Sequence, residues 1–273
     1  MTMTWKRVWL AAAMAGTLTG TASGCGRFNL DEENANEGVE SAQMSLTEGT
    51  LIAAGSEDDG AGCAITTAAE LAAAAVARGA ARFQPAGCAS VSLSGSTLTY
   101  TLAECTGRLG LVHVTGTLVA QLTDGSDGVH IAVSGAGLKA NRATFDLDAT
   151  GVLSSDGAKC KLVVSTNGNG TTARGNTFTR VGTYTVERDP ATACVSLDGQ
   201  WQLDLSIGRT RSTTVTGLVR CADACPAAGG TIVHTGLGGR TATVTFDGSD
   251  AASWSSSTGR SGTVDLACGS GRL

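Results

Sequence analysis

Aromatic side chains are scarce in this sequence: 4 Trp, 2 Tyr and 5 Phe among 273 residues. A glycan-binding platform needs more of them, and any core built here must rely on Ala, Val and Leu. Charge is sparse too, at 16% of residues against about 25% in ordinary soluble domains. Lys and Arg total 19 against 24 Asp and Glu. A net charge of -5 excludes a nucleic-acid binder that works by a general excess of cations. The 38 glycines follow no period of three, which excludes collagen. At 42% hydrophobic residues the chain is not wholly disordered. There is no G-x-S-x-G, H-E-x-x-H or P-loop pattern. The sequence thus names no reaction, and no cofactor is expected.

The N-terminus is an export signal. Lys6 and Arg7 precede a modestly apolar run, Val8 to Ala22, interrupted by Gly16 and Gly20. The run is too short to span a bilayer, which takes about 20 apolar residues. It ends in Ala22-Ser23-Gly24-Cys25. A basic start, an apolar run and small residues at the exit define a secretory signal, here residues 1–24. The four-residue exit resembles the lipobox of bacterial lipoproteins, with Ala22 standing where Leu is the usual occupant. The resemblance covers residues 1–25 and implies cleavage before Cys25 and acylation of that cysteine. Gly26 follows it, where an Asp would resemble the inner-membrane retention signal, so the resemblance points to the outer membrane of a bacterial envelope. Anchoring by several chains is stable, at about 0.8 kcal/mol per buried methylene.

Residues 25–62 then read as a lipidated cysteine and an acidic flexible tether. Asp31, Glu32, Glu33, Glu37, Glu40, Glu48, Glu57, Asp58 and Asp59 face only Arg27. Such a segment buries too little surface to offset its ordering entropy, and like charges extend it. Within it, Ala42 to Ala54 carries Met44, Leu46, Leu51 and Ile52, which are suited to docking on the domain. The remaining residues, 63–273, hold 15 acidic and 16 basic side chains, so the acidity belongs to the tether.

That remainder reads as a single mainly β domain with one N-terminal alanine-rich helix. Thr66 or Thr67 caps a helix over 67–82, with Glu70 near its first turn, and Pro85 prevents continuation. Beyond Ser90 the period changes to two. Alternation runs through 111–123, 143–150, 201–207, 241–247 and 263–268. One buried and one wet face per strand implies antiparallel pairing. Turn signals stand at Asp124-Gly125, Asp127-Gly128, Asp156-Gly157, Asn167-Gly168, Asn169-Gly170, Asp198-Gly199 and Asp247-Gly248. They predict about eleven to thirteen strands in an antiparallel meander, either a sandwich or a half-open curved barrel. A helix followed by such a barrel is similar in element order to bacterial lipoprotein and lipid carriers.

With Cys25 set aside, Cys63, Cys88, Cys105, Cys160, Cys194, Cys221, Cys225 and Cys268 form an even set, expected to be disulfide-bonded after export. Proximity favours Cys221–Cys225, then Cys63–Cys88. A metal site at Cys221-x-x-x-Cys225 with His234 lacks a second ligand pair. His113, His130 and His234 read as polar-face strand residues. Asp146 and Asp148 read as solvated. Asp124, Asp127, Asp247 and Asp250 in the two DGSD turns read as turn formers, with calcium the alternative. Trp201 reads as core, and Trp254 as a recognition aromatic or an edge cap. The expectation is a lipid-anchored envelope protein with a structural or interaction role, its partners being the membrane through Cys25 and an envelope protein or apolar ligand. A periplasmic carrier of a lipid or other apolar ligand is the alternative, and a hydrolase the second.

Overall fold

The computed structural model describes residues 29–52, 67–83, 85–105, 113–140, 143–156, 158–172, 175–192, 194–221 and 224–266. Alternation beyond Ser90 becomes thirteen strands: β1 (Ala89–Ser94), β2 (Thr97–Cys105), β3 (Val114–Gly125), β4 (Gly128–Ala140), β5 (Ala143–Ser155), β6 (Cys160–Thr171), β7 (Thr177–Asp189), β8 (Cys194–Leu205), β9 (Arg209–Cys221), β10 (Thr231–Thr235), β11 (Thr241–Thr245), β12 (Ala251–Ser256) and β13 (Ser261–Asp265). They form one antiparallel sheet in chain order, a meander whose edges are β1 and β13. The sheet is open.

Two helices pack on it. α1 (Leu30–Ile52) lies against β7 and β9 to β13, and α2 (Ala68–Arg78) against β1 to β3. Inward residues of the strands between, such as Ile131, Leu147 and Val164, are buried as well. They share one buried apolar cluster with residues of both helices, which calls for a curved sheet. Register shifts in β2, β3, β4 and β8 supply bends. In β4 the shift between Gly135 and Leu138 holds Gly137 at φ 61°, a conformation glycine adopts without strain.

Scarce aromatics and abundant glycine are one feature. Facing pairs across the sheet are Gly170 with Phe178, Gly182 with Trp201, Gly199 with Tyr184, and Gly262 with Trp254. A Cβ on Gly262 would stand 2.9 Å from the Trp254 ring. A Cβ on Gly170 would stand 2.8 Å from the Phe178 ring, and the Cβ atoms of Trp201 and Tyr184 take the space that one on Gly182 or Gly199 would need. This explains two of three turn signals that are not turns, those at Gly170 and Gly199; a Cβ on Gly168 would instead stand 3.2 Å from the Asp146 carbonyl. Asn167-Gly168 and Asn169-Gly170 lie inside β6, and Asp198-Gly199 lies at the register shift of β8. Asp198 there accepts the Gly217 N–H at 2.7 Å.

The expected helix over 67–82 is α2 followed by a 3-10 turn, Gly79–Arg82. Thr67 and Glu70 form a reciprocal capping box at its start. The Asp124 carboxylate also accepts the Ala68 N–H, at 2.6 Å.

The tether expectation is corrected over residues 30–52, which form α1. Counting carboxylates as a solvated surface overlooked where they point. Asp31, Asn34, Ala35, Val39, Ala42 and Ser45 are buried at helical spacing. Gly38 shares the stripe and brings the helix so close that a Cβ on it would stand 2.8 Å from the His234 Cβ. Ala42 docks on the sheet, while the side chains of Met44, Leu46, Leu51 and Ile52 lie outside the described ones.

Both favoured disulfide pairings are corrected. Cys194 and Cys221 face each other across β8 and β9 and are bonded, so Cys221 is not joined to Cys225. Cys88 is bonded to Cys105, with 5.4 Å between Cα atoms, closing the β1–β2 hairpin at its base rather than reaching Cys63. Register outranks sequence proximity here, because the ladder already holds these pairs of backbones within bridging distance. Cys160 and Cys225 are also disulfide-bonded, and Cys63 and Cys268 lie outside the described residues.

Candidate functional site

The richest polar constellation lies beneath α1. Register brings Arg180 on β7 level with Leu203 on β8 and Arg211 on β9. The next inward row carries Trp201 on β8, Thr213 on β9 and His234 on β10. Residues of α1 meet them in order. Asp31, fully buried, accepts from the Thr258 hydroxyl at 2.9 Å and lies 3.5 Å from Arg240 and 3.8 Å from Arg260. Glu37 pairs with the Arg211 guanidinium through one oxygen and lies 3.5 Å from His234 Nε2 through the other. The Ser41 hydroxyl accepts from Trp201 Nε1 at 2.6 Å, and the Ser45 hydroxyl from Arg180 at 2.8 Å. Arg180 also stacks over the Trp201 ring, 5.7 Å from its centre, and Tyr184 meets that ring edge-on.

Thr213, His234 and Glu37 stand in the order of a hydroxyl, an imidazole and a carboxylate, with Thr213 Oγ1 2.9 Å from His234 Nδ1. An acyl-transfer site would need that hydroxyl open to a substrate. Thr213 and His234 are each only 2% exposed, and α1 fills the space above them. The arrangement therefore fastens a helix. It joins opposite charges in a place where an uncompensated one would be costly.

A second, open site lies on the outer face. Asp146, Asn169, Thr179 and Asp204 form a row across β5 to β8, with Thr144, Thr171 and Thr177 beside them, lining a cleft of about 520 Å³. The Gly137 N–H, then the Asn169 amide, hold Asp146 below the usual carboxylate range. The Thr210 hydroxyl, then the Gln202 amide, do the same for Asp204. Both are committed acceptors, and no histidine lines the cleft.

The remaining singled-out residues are dispersed. Cys25 lies outside the described residues. His113 is exposed beside β3, with Nδ1 3.3 Å from the Glu104 carbonyl. His130 is exposed and pairs with Asp127 at 2.6 Å, which lowers that carboxyl. His234, expected on a polar face, points inward beneath α1. Asp148 is exposed on β5. Asp247 turns back on Ser249, whose hydroxyl and then N–H lower it. Asp250 lies in the same exposed turn, and its carbonyl accepts from Leu266. Among the described residues no group of three or more His, Cys, Asp or Glu could hold a metal ion. Trp201 is core as expected; Trp254 is core as well, 4% exposed, and neither a recognition aromatic nor a cap. What sequence reasoning missed is the acidic helix itself. The signal was its stripe of small residues at Ala35, Gly38, Ala42, Ser45 and Gly49. No family model, curated protein or solved structure matches the chain.

Proposed function

We propose that this is a lipid-anchored bacterial envelope protein with a structural or interaction role, held to the outer membrane through acylated Cys25. The observation that carries the reading is the shortness of the leash. Asn29, in place beside Arg260, is four residues after Cys25. An extended chain of that length reaches about 14 Å. An acyl chain at Cys25 would thus keep the sheet close to the bilayer for as long as α1 stays docked. Disulfides at Cys88–Cys105 and Cys194–Cys221 are compatible with an oxidising compartment. The carrier reading draws no support from the described inner face, where α1 and buried apolar side chains occupy the space. The hydrolase reading draws none from Thr213 and His234, which no substrate reaches. The test is the intact mass of the mature N-terminus: a diacylglycerol-modified Cys25 is expected. An unmodified peptide that retains Cys25, or cleavage elsewhere, overturns the reading.

A further inference from the structure

Away from the sheet, α1 has little to hold it helical. Residues 30–52 carry six carboxylates and no cation. Glu37 stands four residues after Glu33 and three before Glu40, the spacings at which like charges repel along a helix. Gly38 and Gly49 lie in its interior, where glycine loses the most conformational freedom. α2 differs, being rich in alanine and closed by its own capping box. A segment of the α1 composition falls below what a helix needs to persist alone in water. Its helicity is therefore a product of docking.

The docking itself is polar. Its fastenings run along the helix, from Asp31 at Arg240 and Arg260, through Glu37 at Arg211 and Ser41 at Trp201, to Ser45 at Arg180. Among the described residues, four buried polar atoms on or beneath α1 make no hydrogen bond: Asp31 Oδ1, Glu33 Oε2, Arg211 Nε and His234 Nε2. Each gave up water without regaining a hydrogen bond. The ladder of the sheet runs unbroken from β1 to β13 without α1. We infer that α1 is a strap, which leaves the sheet as one unit while the sheet stays folded. Helix formation is cooperative and the fastenings are spread over its length, so release is concerted. On the reading that Cys25 is acylated, the strap sets how far the domain stands from the bilayer. With α1 docked, Asn29 stays within about 14 Å of the anchor. With α1 released, the next fixed point is Thr67, the cap of α2, and the 42 residues from Cys25 allow up to about 140 Å.

The first arm of the test uses the mature chain with Cys25→Ser, so that acylation plays no part. Hydrogen exchange should give the amides of residues 30–52 one shared protection, at least about 100-fold below that of β4 to β6. A glutamate-specific protease should cut within residues 30–52 and leave the sheet intact. Protection that climbs steadily from Leu30 is fraying, and protection equal to that of β4 to β6 means that α1 leaves only on global unfolding; either result overturns the strap. The second arm places the acylated chain on a supported bilayer and reads the gap to the domain by neutron reflectometry. Glu37→Gln should widen that gap more than about twofold. An unchanged gap overturns the effect on reach. A chain that the bilayer does not retain refutes the anchor instead, and the strap then stands or falls on the first arm.

Discussion

Glu37→Gln should release α1 from the sheet while leaving the sheet folded. The substitution keeps the side chain's shape and removes only its charge. Arg211, with a side chain 8% exposed, then stays buried without its counter-ion. Removing one member of a buried pair costs about 3–5 kcal/mol. Against this, the described side chains of α1 offer little apolar burial. Val39 contributes about 1.5–3 kcal/mol and the methyls of Ala35 and Ala42 about 0.8 kcal/mol each, before the cost of ordering the helix. The loss is as large as the apolar gain of the described side chains, so undocked α1 becomes a major state. Hydrogen exchange reads this directly. Amides of residues 30–52 should exchange at least about 100-fold faster, since about 1.4 kcal/mol is a factor of ten. Amides of β4 to β6 should keep their wild-type rates. Adding Arg211→Met should restore much of the protection, because it removes the stranded charge. If α1 in Glu37→Gln exchanges within about threefold of wild type, the pair does not hold the helix and the reasoning fails.

Three further outcomes follow from the same contacts. Cys194→Ser opens a loop of 27 residues and should lower stability by about 3.5 kcal/mol, read from urea midpoints under non-reducing conditions; a change below about 1 kcal/mol would show that the ladder alone fixes that pair. Gly182→Ala forces a Cβ onto Trp201 and to 2.9 Å from the Gln200 carbonyl, and should cost roughly 1–3 kcal/mol with a changed Trp fluorescence; wild-type stability would mean that Trp201 and the Gln200 carbonyl do not crowd Gly182. Asp156 is held low by the N–H groups of Lys159, then Ala158, as Asp127, Asp146, Asp204 and Asp247 are by their own donors. A carboxyl depressed by folding stabilises the fold above its unfolded pKa, and that gain is lost as pH falls through the lower folded value. Urea midpoints should therefore be level above about pH 5 and fall below about pH 4, less steeply in Asp156→Asn; an equal fall in that variant would refute the turn's share.

Much of the sheet was legible because period two is a strong signal. The alternating runs at 111–123, 143–150, 201–207 and 241–247 lie largely within β3, β5, β8 and β11, and the first half of the run at 263–268 lies within β13. Three Asp-Gly signals lie at true turns: at Gly125, Gly128 and Gly248 the chain reverses between strands, while Gly157 lies outside the described residues. Of the signals that misled, Gly170 and Gly199 are glycines that make room for the side chains opposite them, and Gly168 is one that lies close to the Asp146 carbonyl. A single strand cannot show its neighbour, so a glycine that makes room for Phe178 or Tyr184 looks like one that makes a turn. The disulfides failed for the same reason, since Cys194 meets Cys221 only through the register of two long strands.

Charge misled more deeply, because a sum over a segment discards position. The nine carboxylates of residues 26–62 predict repulsion if all face water. Two of them, Asp31 and Glu37, are spaced to reach Arg240, Arg260 and Arg211, and these attractions anchor the helix that repulsion was expected to dissolve.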